Sequence, residues 1–181
     1  MPLPPQRSEA STPLPPLERI NDSPPAVAEE ALLGCCGSAR WARRIAAHRP
    51  YPDLEALLAA ADEASYDLTA EDLTQALAAE AAPHPPGYPA WEPQPGTLAA
   101  HTALRAAQAA YESRFRFPFV MCLDEWPPGQ RLDQTLAAIR VRLGHEEEEE
   151  RAVAADELRK VARGRLARLV AGRVAGPTVA D

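Results

Sequence analysis

EEERAVAADELRKVARGRLARLV, residues 148–170, reads as one long helix, and its reading decides the fold class. It holds no proline, and it is filled by alanine, leucine, arginine and glutamate, the residues that lose least on entering a helix. Advancing about 100° per residue from Leu158 places Ala154, Val161, Ala162 and Leu169 within roughly 60° of it. That arc is a face made for a core. Arg165 falls at about −20°, in the middle of the arc, whereas Arg159, Lys160 and Arg163 fall well outside it. A guanidinium aimed at a core must meet an anion or several carbonyls, because burying it unpaired is very costly. Two partners meet that demand. One is an anionic group of a ligand, which the fork geometry suits; the other is an internal aspartate or glutamate.

The rest of the chain repeats the helical pattern upstream. Leu17–Asn21 predicts a short first helix or turn, and Asp22 or Ser23 is expected to cap a second one that starts at Pro24-Pro25 and ends at Gly34. Ser38 caps a helix from Ala39 to about His48, which Arg49-Pro50-Tyr51-Pro52 stops. Asp53 caps Leu54 to about Tyr66. Thr69 and Asp72 form a capping box that opens Ala70 to about Ala81. Further helices are predicted over Leu98–Arg114 and Leu132–Leu143. The glutamates after His145 read as a solvated first turn of the last helix, where negative charge suits the helix dipole. Phe115–Leu123 is the one concentrated apolar and aromatic run, and Pro118 makes it a buried extended segment rather than a helix. The sum is an all-α protein: a single compact domain of about seven or eight helices over 17–172, after a Pro-rich disordered tail (1–16) and before a flexible C-terminus (173–181).

Composition excludes several functions. The net charge is −7 and the cations are scattered among acids, so the basic stripe of a nucleic-acid binder is missing. No apolar run is long enough to span a bilayer, and no membrane partner is expected. The early sequence lacks the form of a secretory signal, and the final Val-Ala-Asp is no peroxisomal address. Three cysteines, Cys35, Cys36 and Cys122, are odd in number and irregular in spacing; they point to a reducing, cytoplasmic setting and to no metal site.

Two more places hold candidate chemistry. His84 lies between prolines in a long segment, 82–96 (APHPPGYPAWEPQPG), that no helix can use. Prolines restrict its backbone, which suits a positioned acid or base; an exposed loop histidine is the plainer reading. On the helix over 98–114, His101, Arg105, Gln108 and Glu112 make a polar strip beside the apolar face of Leu104, Ala107 and Tyr111, and the plain reading of that strip is a solvated surface.

Four stretches together resemble the decarboxylases of 2-oxo-4-hydroxy-4-carboxy-5-ureidoimidazoline (OHCU). Arg49-Pro50-Tyr51-Pro52-Asp53-Leu54 is similar to the family's Arg-Pro-Phe-x-Asp-Leu turn. Tyr111–Val120 (YESRFRFPFV) is similar to Tyr-x-x-(Lys/Arg)-Phe-Gly-Phe-Pro-Phe-(Val/Ile), the most specific of the four. Gly164–Leu169 matches the closing Arg-Leu-x-x-Leu helix, and His84-Pro85 the His-Pro that carries the catalytic histidine.

The resemblance implies an all-helical, cytoplasmic, homodimeric enzyme of urate breakdown. It would use no metal or organic cofactor, remove CO2 from a small ureidoimidazoline and protonate one face to give (S)-allantoin. It implies His84 as acid/base with Pro85 beside it, Arg165 on the anionic substrate, and Phe119, Val120, Met121, Cys122 and Leu123 along the pocket. The family's Ser-x-x-Glu-Gln is absent, Pro86-Gly87 follows the His-Pro, and Arg116 stands where the family has glycine. His101 is, by position, a candidate to take over a binding role. Three outcomes stay open: OHCU decarboxylation with a rebuilt site, action on a related ureide, or a helical interaction protein without catalysis.

Overall fold

The computed structural model describes residues 16–81 and 98–171. Among them are eight α-helices: α1 (Pro16–Asp22), α2 (Pro25–Leu33), α3 (Ala39–Ala47), α4 (Leu54–Tyr66), α5 (Ala70–Ala79), α6 (Leu98–Phe115), α7 (Arg131–Arg142) and α8 (Glu147–Val170). A single 3-10 turn, Pro128–Gln130, precedes α7. The Pro-rich tail, the far C-terminus and the segment with His84 and Pro85 lie outside the described residues. No helix among them is long and apolar enough to cross a membrane.

The helix starts are set by short polar side chains. Ser38 Oγ accepts the Trp41 N–H (3.2 Å), and an Asp53 carboxylate oxygen accepts that of Ala56 (2.8 Å). Thr69 and Asp72 close the reciprocal capping box on α5. The expected cap on α2 is a correction. Pro24 takes the N-cap position and no side chain caps it, because the Ser23 hydroxyl instead donates back to the Arg19 carbonyl.

α8 runs through the core much as its pattern requires, except that Leu169 of the predicted arc is only half-buried and Leu166, outside it, is buried. Ala154, Leu158, Val161, Ala162 and Leu166 are at most 4% exposed. It packs against α4, α2 packs on α3, and α6 packs on α7. α3 buries Trp41, whose indole N–H reaches the Ala61 carbonyl and Ser65 Oγ, both at 3.0 Å, and so locks α3 to α4. The Arg49-Pro50-Tyr51-Pro52 turn joins the first two helices to this layer. Asn21 exchanges two 2.9 Å hydrogen bonds with the Tyr51 backbone, and Arg49 donates to carbonyls of Ile20, Ser23 and Ala46. Gly37 lets the α2–α3 corner touch α5: a Cβ there would lie 2.2 Å from that of Ala79.

α6 ends on Arg116, whose φ is 66° and whose N–H returns to the Glu112 carbonyl at 2.9 Å. This is the left-handed stop that glycine usually fills, built here on an arginine. The turn survives the substitution at the cost of Cβ strain, about 1–2 kcal/mol.

Two predictions follow from these local features. Arg116→Gly relieves the strain but gives the unfolded chain more freedom; it should raise the unfolding free energy by about 0.5–1 kcal/mol, read from urea denaturation. Cys35 and Cys36 are 4% and 0% exposed, and burial pushes their thiols up to about 12 and about 11. A thiol reagent at pH 8 should therefore modify both only under denaturing conditions.

Candidate active site

The run after Arg116 supplies one wall of the site. Phe117 and Val120 turn inward, 8% and 4% exposed. The segment 117–123 has no strand partner among the described residues, so side chains from the helices satisfy its backbone. Arg142 Nη1 donates to the Val120 carbonyl at 2.7 Å, and the Cys122 N–H donates to Glu157 Oε2 at 2.7 Å. The chain beyond is tied to α8 where Asp124 takes Arg168 Nη1 on both oxygens, at 3.0 and 2.9 Å. Gly164 makes room for that contact, since a Cβ there would lie 2.3 Å from Asp124 Oδ2.

Arg142 belongs to a buried network. Its Nε and Nη2 lie 2.8 and 2.6 Å from Glu150 Oε1, and its guanidinium covers the Phe119 ring at 4.4 Å. The Tyr111 hydroxyl donates to the same Glu150 oxygen, and His145 Nδ1 lies 2.8 Å from the other. Burial first, then the neighbouring Glu150 carboxylate, pushes the Tyr111 hydroxyl well above the usual phenol range. Glu150 has no exposed surface, which corrects the reading of the glutamate run as a solvated turn; Glu146, Glu147, Glu148 and Glu149 are exposed, and the fifth turns into the core. On the helix wheel Glu150 sits at roughly −80° from Leu158, at the edge of the apolar arc. That was the available signal, hidden by four identical neighbours.

Beside this wall opens a cavity of about 300 Å³. Pro118, Phe119, Val120, Met121 and Leu123 line one side. Gln108 and Glu112 of α6 line another, so the polar strip faces a cavity at this end rather than only solvent. Thr135 and Val161 come from α7 and α8, and Glu80 and Ala81 from the end of α5. Among the described lining residues there are two carboxylates, an amide and a hydroxyl, but no cation.

Arg165 stands behind this lining. Its Nη1 and Nη2 each lie 2.7 Å from one oxygen of Glu80, and Nη1 also reaches the Cys35 carbonyl at 3.2 Å. The side chains are only 12% and 9% exposed. The internal acid that the α8 pattern allowed is thus Glu80, 85 residues upstream. The structure brings Phe119, Val120, Met121 and Leu123 to one cavity and leaves Cys122 facing elsewhere, its thiol pushed up by burial. His101 is buried at 8%, nearer the start of α6, and is not among the described lining residues. No group of three or more His, Cys, Asp or Glu among the described residues is arranged to hold a metal.

The family model for OHCU decarboxylase matches residues 21–85 and 92–167. The chain belongs to the OHCU decarboxylase family. Its family match includes His84 and Pro85 and breaks only inside the Pro-rich stretch. A crystal structure of (S)-allantoin synthase superposes with a TM-score of 0.61 at 22% identity, over 84% of this chain and 53% of that one. The chain thus spans about half the length of that protein. OHCU decarboxylase crystallised in the presence of (S)-allantoin gives a TM-score of 0.61 at 20% identity, over 79% of this chain and 98% of that one. At such identities the likeness is one of fold. No curated protein sequence matches the chain.

The buried network makes a stability prediction for this OHCU decarboxylase family member. Arg142→Met strips Glu150 of its cation in a closed core and should cost about 3–5 kcal/mol. The double variant Arg142→Met/Glu150→Met should lose less than Arg142→Met alone, because no buried charge is stranded. Denaturation midpoints of the three proteins decide it.

Proposed function

We propose that the protein decarboxylates OHCU and directs the following protonation to give (S)-allantoin, with His84 as the acid/base. The carrying observation is that the family's apolar segment walls a cavity together with Ala81, three residues before His84. Three residues of chain span at most about 11 Å, so the sequence separation allows His84 the role proposed for it. A volume of about 300 Å³ lies at the small end of ligand pockets and suits one compact heterocycle.

The chemistry fits such a lining. As CO2 leaves, the substrate's carboxylate charge moves into the ring, where the adjacent carbonyl and nitrogens delocalise it. A wall of Phe119, Leu123 and Val161 gives no cation to hold that charge on the departing group. Binding is then better in the transition state than in the ground state, which is what raises the rate. The remaining demand is one proton donor on one face, the role of His84. Arg165's fork is filled by Glu80, so the cavity presents the carboxylate of that pair rather than a bare cation. That pairing favours a second reading, a site retuned toward another ureide, and the same assay separates the two.

OHCU generated from urate by urate oxidase and hydroxyisourate hydrolase should be converted to optically active allantoin faster than it decays alone, followed by circular dichroism. His84→Ala should cut that acceleration by about 10²–10⁴-fold. Wild-type protein that leaves the spontaneous rate unchanged overturns the decarboxylase reading.

A further inference from the structure

Glu80 has no role in the reaction as described, yet it is the most firmly held polar group on the cavity wall. It sits at the C-cap of α5. Both its oxygens are fixed at 2.7 Å by the two Nη atoms of Arg165. Arg165 is itself moored to the Cys35 carbonyl, so the carboxylate is oriented from behind by a group that does not line the cavity. An ionised carboxylate accepts about four hydrogen bonds, and the fork takes two. Glu80 lines the cavity with Gln108 and Glu112, where donors of a ligand can reach its other lone pairs. That set of groups holds two carboxylates, which only accept when ionised, and an amide, with no cation among the described lining residues. The ligand it complements presents N–H donors, as ureido and imidazoline nitrogens do, rather than a second carboxylate.

We propose that Glu80 is the substrate-contacting residue, accepting hydrogen bonds from the N–H groups of a ureide, and that Arg165 is its positioning residue and not a clamp on the substrate's carboxylate. The proposal rests on the ureide reading of this cavity and reverses the role the resemblance implies for Arg165. Pairing with the guanidinium keeps the Glu80 oxygens aimed. A hydrogen bond to a charged group contributes about 1.5–3 kcal/mol, or roughly 10- to 150-fold in affinity.

(S)-Allantoin is neutral and separates the two roles, because it carries the ureido N–H groups and no carboxylate. Its binding is measured by calorimetry on the full chain, wild type and variants, beside the KM for OHCU. The proposal expects Glu80→Gln to weaken allantoin and raise KM by at least about 10-fold. It expects Arg165→Met to weaken allantoin as well, and Arg165→Lys, which restores a cation, to recover part of the loss. A carboxylate clamp gives the opposite pattern: allantoin binds Arg165→Met as tightly as wild type, and Glu80→Gln frees the fork and holds or lowers KM. That pattern overturns the proposal, as does a wild type that binds no allantoin. If Glu80→Gln does not fold, the double variant Glu80→Gln/Arg165→Met, which removes both charges, is read in its place; wild-type allantoin affinity there also overturns it. A wild type that binds allantoin but leaves OHCU decay unchanged removes the decarboxylase reading alone, and the proposal is then judged on the allantoin affinities.

Discussion

Glu150 is a carboxylate without solvent, and much of the site depends on how that charge is compensated. Arg142 of α7 and Tyr111 of α6 donate to one of its oxygens, and His145 meets the other. Three helices are therefore tied through one side chain near the start of α8. The gain over a purely apolar core is small or negative, because desolvating two charges offsets most of their attraction. What the network does supply is geometry. The guanidinium that holds Glu150 has one further nitrogen, and it takes the Val120 carbonyl at 2.7 Å while its face covers Phe119. A charge pair in the core thus sets the position of the cavity wall.

A second internal pair faces it. Arg165 and Glu80 join α8 to the end of α5, across from the segment that Arg142 holds. Each pair consumes its cation internally, and the described lining of the cavity holds two carboxylates, an amide, a hydroxyl and apolar surface. This is a poor place to keep a carboxylate charged and a good place to seat N–H donors.

The sequence announced what is local and concealed what is paired at a distance. The predicted span of α4, Leu54 to Tyr66, matches the structure because Asp53 and the following apolar spacing act within one turn. The α5 capping box is legible for the same reason. Arg165 was legible as a cation inside an apolar arc, but its partner was not, since nothing local ties position 165 to position 80. Glu150 failed differently: a run of identical acids hides which one faces inward, and only the phase set by Leu158 singles it out. Pro24 took the cap position because Ser23 found a nearer acceptor in the preceding turn. The strip of Gln108 and Glu112 had the spacing of a surface face, and it became cavity lining because an irregular segment, not a helix, packs beside it.

That irregular segment carries the last step. A half-buried extended chain with no neighbouring strand among the described residues leaves its amides and carbonyls unsatisfied unless other groups reach them. Arg116 turns it back from α6 in the left-handed conformation, and Pro118 has no N–H to satisfy. The Val120 carbonyl and the Cys122 amide are taken by Arg142 and Glu157, so two charged side chains do the work of a strand partner. The direction of 117–123, and with it the shape of the cavity, therefore depends on α7 and α8, which the Arg142–Glu150 pair ties together. In a sheet, the wall would be set by a ladder of near-identical bonds and would tolerate the loss of one. Here single side chains carry it, and each sits on a helix whose own position is fixed by core packing. Keeping the apolar segment in place then requires Arg142 and Glu157 too, although neither is among the described residues that line the cavity.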